Sequence, residues 1–134
     1  MMLRISSHLL RQLQDHVAAR PHEETCGLLL GGAAQVTDIR IAANVAPNPA
    51  AHFEIDPAVL IAAHRAARDG APAVIGNWHS HPNGRAMPSA EDARCAAPDG
   101  QFWLILTQAD LGCWRAVENG PLFGRFEQVA LAVR

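Results

Sequence analysis

The strongest constraint on the fold is a change of period between residues 56 and 82. Asp56 suits a helix N-cap, Pro57 the first helical position and Gly70 the residue past the end, so a helix is predicted over 57–69. Shortly afterwards the run Ala73–Trp78 is apolar and β-compatible. It leads into His79-Ser80-His81 before Pro82 stops it. A helix joined so closely to a buried strand calls for a sheet on which that helix can lie.

The remaining segments fit the same plan. Leu9, Leu10, Leu13, Val17 and Ala18 recur at helical spacing over Ser6–Arg20, with Ser6 or Ser7 as cap and Pro21 as stop. Thr25–Leu30 reads as a buried strand closed by Gly31-Gly32, and a second strand runs from about Gln35 to Val45, forming a hairpin. A loop over 46–51 precedes the short extended piece His52-Phe53-Glu54-Ile55. Ser89–Ala97 reads as a short helix, Phe102–Thr107 and Cys113–Glu118 as strands, and Phe123–Val133 as a strand or a helix that periodicity leaves open. With 134 residues, this is one domain's worth of chain over 1–134, of α/β class, with a mixed β-sheet flanked by helices in two or three layers.

Composition removes several chemistries. All eleven basic residues are Arg, so no lysine is present to form a Schiff base, hold a nucleotide phosphate or join a Ser-Lys dyad. The arginines are scattered singly, the formal net charge is −2, and the seven aromatics are not interleaved with them, so no nucleic-acid partner is expected. No apolar stretch approaches the roughly 20 residues of a membrane span, and the start turns polar too soon for a signal peptide, so the expectation is a cytoplasmic protein without a membrane partner. Cys26, Cys95 and Cys113 are odd in number and form no C-x-x-C pair; buried small hydrophobes are the expected role for Cys26 and Cys113.

The chemistry lies in the stretch from His79 to Asp92. Side chains at i and i+2 of a strand share a face, so His79 and His81 project together at the sheet rim and can share one metal. Asp92 is the nearest candidate for a third ligand. Two imidazoles and a carboxylate match the three protein ligands of a catalytic zinc site, whose fourth position takes water. Cys95, three residues beyond Asp92, would instead complete a closed structural site. Each feature also has an ordinary reading: two satisfied histidines, and a capping box in which Ser89 and Asp92 tie the start of a helix.

The combination H-x-H-P-x₇-S-x-x-D resembles the signature of the JAMM metalloproteases, also called MPN-plus or JAB-domain proteins. Glu24-Thr25-Cys26-Gly27, before a hydrophobic run ending in Gly31, is similar to the family's upstream E-x-x-G, and His52–Pro57 resembles the segment before the long helix of its small prokaryotic members. The resemblance implies a cytidine-deaminase-like layered fold, with Zn²⁺ bound by His79, His81 and Asp92. It further implies that Glu24 bonds to the water on the zinc and that Ser89 helps to stabilise the oxyanion. The substrate it implies is the C-terminal Gly-Gly tail of a ubiquitin-like or sulfur-carrier protein.

The chemistry is consistent with these roles, because attack on an amide needs a base to move a proton from water to the leaving amine. A carboxylate that does not touch the metal fits that task. Glu23 is the neighbouring alternative, but strand alternation turns it to the opposite face. Ser89 can cap a helix and serve an oxyanion only if its hydroxyl oxygen accepts one bond while its proton is donated to another. Asn83, Gly84, Arg85 and Met87 either line a substrate channel or form an ordinary loop. His8, His16, His22, His52 and His64 read as surface residues, and Trp78 as sheet packing. Two other functions stay open: a catalytically silent MPN-type binding module, and a zinc hydrolase of a small amide. The deaminase pattern H-x-E with P-C-x-x-C is absent.

Overall fold

The computed structural model of the protein describes residues 1–82 and 84–134. Its elements are β1 (Met2–Ile5), α1 (Ser7–Ala19), β2 (Cys26–Gly32), β3 (Gln35–Ala42), α2 (Pro57–Arg68), β4 (Ala73–Ser80), α3 (Ala90–Cys95), β5 (Phe102–Leu106), β6 (Leu111–Gly120) and β7 (Gly124–Val133). The strands join in the order β1-β3-β2-β4-β5-β6-β7 and the sheet closes on itself. It is mixed, as expected: β4 lies parallel to β5 and β1 parallel to β7, while β2 runs antiparallel to both β3 and β4. No helix among the described residues is long and apolar enough to cross a membrane.

Two features depart from the sequence reading. β1 is too short to announce itself, and it exists because Met2–Ile5 pairs along Ala130–Val133 of β7 and meets β3 at Arg4 and Gln35. That pairing settles the ambiguous C-terminal segment as a strand and closes the sheet. The second departure is the first hairpin. Gly31 and Gly32 belong to β2, and the turn is made by Ala33 and Ala34, whose φ angles are +50° and +57°. Gly31 is required for a close approach instead, because a Cβ there would overlap the backbone carbonyl oxygen of Gln35 beside the bulge in the ladder.

Alternation along each strand divides the core. Leu29, Trp78, Leu104 and Leu106 face α1, which buries Leu10, Leu13 and Val17 against them. Leu28 and Leu30 face the other way, onto Ala63 of α2. Trp103, Ala116 and Phe126 form a third cluster under α3, with Phe53 packed on its edge. Cys26 and Cys113 are buried and unpaired, and burial pushes both thiols up to about 12, which leaves them as the inert hydrophobes expected.

β4 places the site. It runs into the two histidines as expected and ends at Ser80: His79 pairs with Cys26 on one side and Ile105 on the other, and just past the strand His81 N–H donates to the Leu106 carbonyl at 2.9 Å. Trp78 is fully buried on the opposite face, where its indole N–H crosses Gly27 to reach the Arg40 carbonyl at 3.1 Å. A Cβ on Gly27 would overlap that carbonyl and lie 2.5 Å from the indole nitrogen. The glycine four residues before the end of the apolar run therefore has a physical reason: it lets the strand behind the histidines pack.

Gly27→Ala is expected to destabilise the domain by about 2–3 kcal/mol, read as a lower urea midpoint at constant m. A midpoint within error of the parent would contradict the packing described. Replacing Ala33-Ala34 by Asn-Gly should stabilise it by about 1 kcal/mol, since both positions need positive φ.

Candidate metal centre

His79 and His81 leave the end of β4 on one face, and the loop after Pro82 returns through Ser89 into α3. Ser89 is the N-cap of that helix, and the predicted capping box forms with Asp92 at N3: Asp92 N–H donates to Ser89 Oγ at 3.0 Å, and Ser89 N–H donates to Asp92 Oδ2 at 2.9 Å. The box fixes the carboxylate rotamer. Its Oδ2 then lies 3.4 Å from His79 Nε2 and 3.3 Å from His81 Nε2, while the two Nε2 atoms are 3.1 Å apart.

Those three edges can be tested against a metal. A tetrahedral zinc with bonds of about 2.0–2.1 Å has ligand-to-ligand edges of about 3.3 Å. The observed triangle has that size. Protonation points the same way, because His81 Nδ1 lies 2.8 Å from the Arg85 carbonyl, which can only accept. The proton of neutral His81 therefore sits on Nδ1 and the Nε2 lone pair faces His79 Nε2 and Asp92 Oδ2, the tautomer that a carbonyl on the far nitrogen selects in metal-binding histidines. His81 Nε2 and Asp92 Oδ2 thus meet as acceptors beside His79 Nε2, and a cation between the three atoms would satisfy them together.

The electrostatics express the same field. Burial pulls the Asp92 carboxyl upward, but hydrogen bonds with His79 and His81 and the Ser89 N–H hold it well below the usual carboxylate range. Burial opposes charge on His81, yet Asp92 and the Arg85 carbonyl outweigh it and raise the imidazole. His79 is fully enclosed, and burial lowers it despite Asp92. Phe53 stacks on the His79 ring at 4.1 Å between centroids and Trp103 meets it edge-on at 5.6 Å, so apolar walls screen the centre from water. His79 Nδ1 is buried there with no protein partner among the described residues.

Glu24 approaches from the segment before β2. Its side chain is buried at 7% exposure, and a carboxylate oxygen lies within 4.8 Å of ligand atoms on both histidines. Burial raises Glu24 to about 7, with His81 opposing and Asp92 reinforcing the shift. Glu23 points away, partly exposed and 3.4 Å from Arg20. Glu24 and His81 share a cleft of about 220 Å³ with Ala50, Ala51, Gly84 and Ser89. A second cleft, of about 310 Å³, adjoins it through Ala51 and Ser89 and is walled by Phe53, Ile55, Leu60 and Trp103. A roomier cavity of about 520 Å³ lies between α1 and the β5–β6 turn; its described lining holds Asp15 and Asp110 but no histidine or cysteine, so the chemistry belongs to the smaller clefts.

All five candidate residues, Glu24, His79, His81, Ser89 and Asp92, thus meet at one rim of the sheet. Cys95 does not join them: it is exposed, with its sulfur 3.9 Å from Glu91. Of the loop residues, Gly84 lines the cleft and Arg85 contributes its carbonyl, whereas Asn83 lies outside the described residues. Among the other histidines His16 is half-buried, edge-on to Trp78 at 5.8 Å, and the remaining four are exposed. Phe53, Ser80 and Asn44 support the site without having been singled out for it. Phe53, as a lone aromatic in a short extended piece before a helix, left the one faint signal.

Known proteins resemble this chain over most of its length. The profile of the prokaryotic homologs of the JAB domain matches residues 6–118. A desampylase of Haloferax volcanii is 32% identical over 99 residues, covering 72% of this chain and 71% of that protein. A probable TtuB-protein conjugate cleaving protease of Thermus thermophilus is 29% identical over 94 residues, covering 70% of this chain and 63% of its own length. In structure, a JAB1/MPN domain protein from Archaeoglobus fulgidus superposes with a TM-score of 0.62 at 17% identity, over 97% of this chain and 99% of that one. The chain belongs to the prokaryotic JAB family.

Proposed function

We propose that the protein is a zinc metallopeptidase that hydrolyses the peptide or isopeptide bond after the C-terminal Gly-Gly of a ubiquitin-like or sulfur-carrier protein. The observation that carries the reading is the triangle of His79 Nε2, His81 Nε2 and Asp92 Oδ2, with edges of 3.1–3.4 Å, beside the buried Glu24, whose carboxylate lies within 4.8 Å of ligand atoms on both histidines. The names of the Haloferax and Thermus relatives support the choice of substrate class. So does the cleft, where Ala50, Ala51 and Gly84 present little side chain and allow an extended glycine tail to lie close.

In this reading His79, His81 and Asp92 hold the metal. Zinc, when bound, supplies Lewis acidity, bringing the pKa of a water toward about 7 and stabilising charge on the scissile carbonyl. The protein's residues do the rest. Glu24 takes the proton from the attacking water and passes it to the leaving amine, a role for which a buried carboxylate beside the ligands is suited. Ser89 Oγ accepts the Asp92 N–H, so its own proton remains free to donate to the carbonyl oxygen as negative charge develops there. Capping and oxyanion stabilisation are compatible on that division of lone pair and proton. Phe53 and Trp103 keep the His79 side of the site dry, which strengthens each of these interactions.

The test is cleavage of a panel of ubiquitin-like proteins fused through Gly-Gly to a reporter peptide. Cleavage should vanish with a chelator, return with zinc, and fall by about 10²- to 10⁴-fold in Glu24→Gln with zinc still bound. Equal cleavage by the parent and Glu24→Gln, or indifference to the chelator, would sink the mechanism. Ser89→Ala is expected to lower kcat at least about ten-fold with zinc content intact. Unchanged turnover would return Ser89 to capping alone.

A further inference from the structure

Glu24 sits two residues ahead of β2, where the ladder has not begun, yet its carboxylate is held at a buried site that tolerates little movement. The regular sheet does not explain how. Two peptide units flank this residue, and all four of their polar groups are occupied. In the unit before it, Glu24 N–H donates to the Pro49 carbonyl at 2.7 Å, and the Glu23 carbonyl lies 3.4 Å from the Ser80 hydroxyl. In the unit after it, the Glu24 carbonyl accepts from Asn44 Nδ2 at 2.7 Å, and Thr25 N–H donates to Ser80 Oγ at 2.9 Å.

Ser80, the last residue of β4, lies between the two histidines, and strand alternation turns it away from their face, so its hydroxyl meets Glu23 and Thr25 on either side of Glu24. It is 2% exposed and also lies 3.1 Å from Thr25 Oγ1. Asn44 is more fully committed. Its Nδ2 donates to the Glu24 and His52 carbonyls, at 2.7 and 2.9 Å, and its Oδ1 accepts the N–H groups of Ala46 and Glu54 at 3.0 and 3.1 Å. Every donor and acceptor of that amide is used, and a flipped amide would oppose all four partners. The same side chain ties Glu24 to the segment bearing Phe53, whose ring stacks on His79.

We propose that Ser80 and Asn44 are positioning residues for Glu24: between them they bind the peptide units on both sides of it and set its carboxylate against the His79 and His81 pair. The inference rests on the reading of Glu24 as the base. It extends the functional set to a residue inside the H-x-H motif and to one 20 residues away from Glu24 in sequence.

Ser80→Ala tests it on the zinc-loaded protein, with a ubiquitin-like protein fused through Gly-Gly to a reporter peptide. The expected result is a kcat lower by about ten-fold or more, KM within about two-fold, and one zinc per chain retained. Made in a Glu24→Gln background under single-turnover conditions, the same change should cost less than about two-fold, because a residue that acts only through the carboxylate has nothing left to position. Full activity of Ser80→Ala overturns the proposal. So does loss of zinc, or an equal ten-fold loss in the Glu24→Gln background, since each assigns Ser80 a structural part. If Ser80→Ala does not fold, Asn44→Asp carries the test with the same outcomes, keeping the shape of the side chain but replacing both donors with an acceptor. A parent protein that cleaves no such fusion overturns the functional reading and the inference with it, and that result is read on the parent alone.

Discussion

Three buried ionisable side chains, Glu24, His79 and Asp92, and the half-buried His81 lie within a few ångströms of one another, and the domain is built around them. Burying an uncompensated charge costs several kcal/mol, a large share of the 5–15 kcal/mol by which an ordinary domain is stable. Such a cluster persists only if its members satisfy one another or share a cation. Here Asp92 is the hinge of the compensation: one oxygen accepts the Ser89 N–H and faces both imidazoles, so a helix cap and the meeting point of two histidines are built on the same carboxylate.

The architecture follows from the need to hold that carboxylate opposite a strand. β4 is paired on both sides, with β2 and β5, and its last three residues, Trp78, His79 and Ser80, are buried, so the two histidines leave a rigid element. Six residues of α3 then suffice to bring Asp92 back, because the capping box fixes the helix start and the third position at once. Behind the site, Trp78 requires Gly27 beneath it; beside it, Phe53 and Trp103 supply apolar walls. Placed where strands end, the cluster keeps His79 enclosed while His81 borders the cleft.

Much of this could be read from residues close together in sequence. The helix over Pro57–Arg68 was announced by Asp56 and Pro57, the rim position of the histidines by Pro82, and the capping box by the spacing of Ser89 and Asp92. What escaped depends on distant partners. β1 has meaning only beside β7, and the glycines at 31 and 32 look like a turn until the Gln35 carbonyl is placed against one of them. Glu24 was legible through its spacing to Gly27, whose reason is an indole that arrives from β4. Ser80 and Thr25 are 55 residues apart, so nothing local could mark that hydroxyl as part of the support for Glu24.

The most direct test of the central claim is X-ray absorption at the zinc edge of the zinc-loaded protein, which reads the ligand set without reference to any substrate. The account predicts a four-coordinate shell of nitrogen and oxygen at about 2.0–2.1 Å, with outer-shell scattering from two imidazoles and no sulfur. A zinc–sulfur distance of about 2.3 Å, which would bring Cys95 into the shell, or a protein that binds no zinc at all, would contradict it.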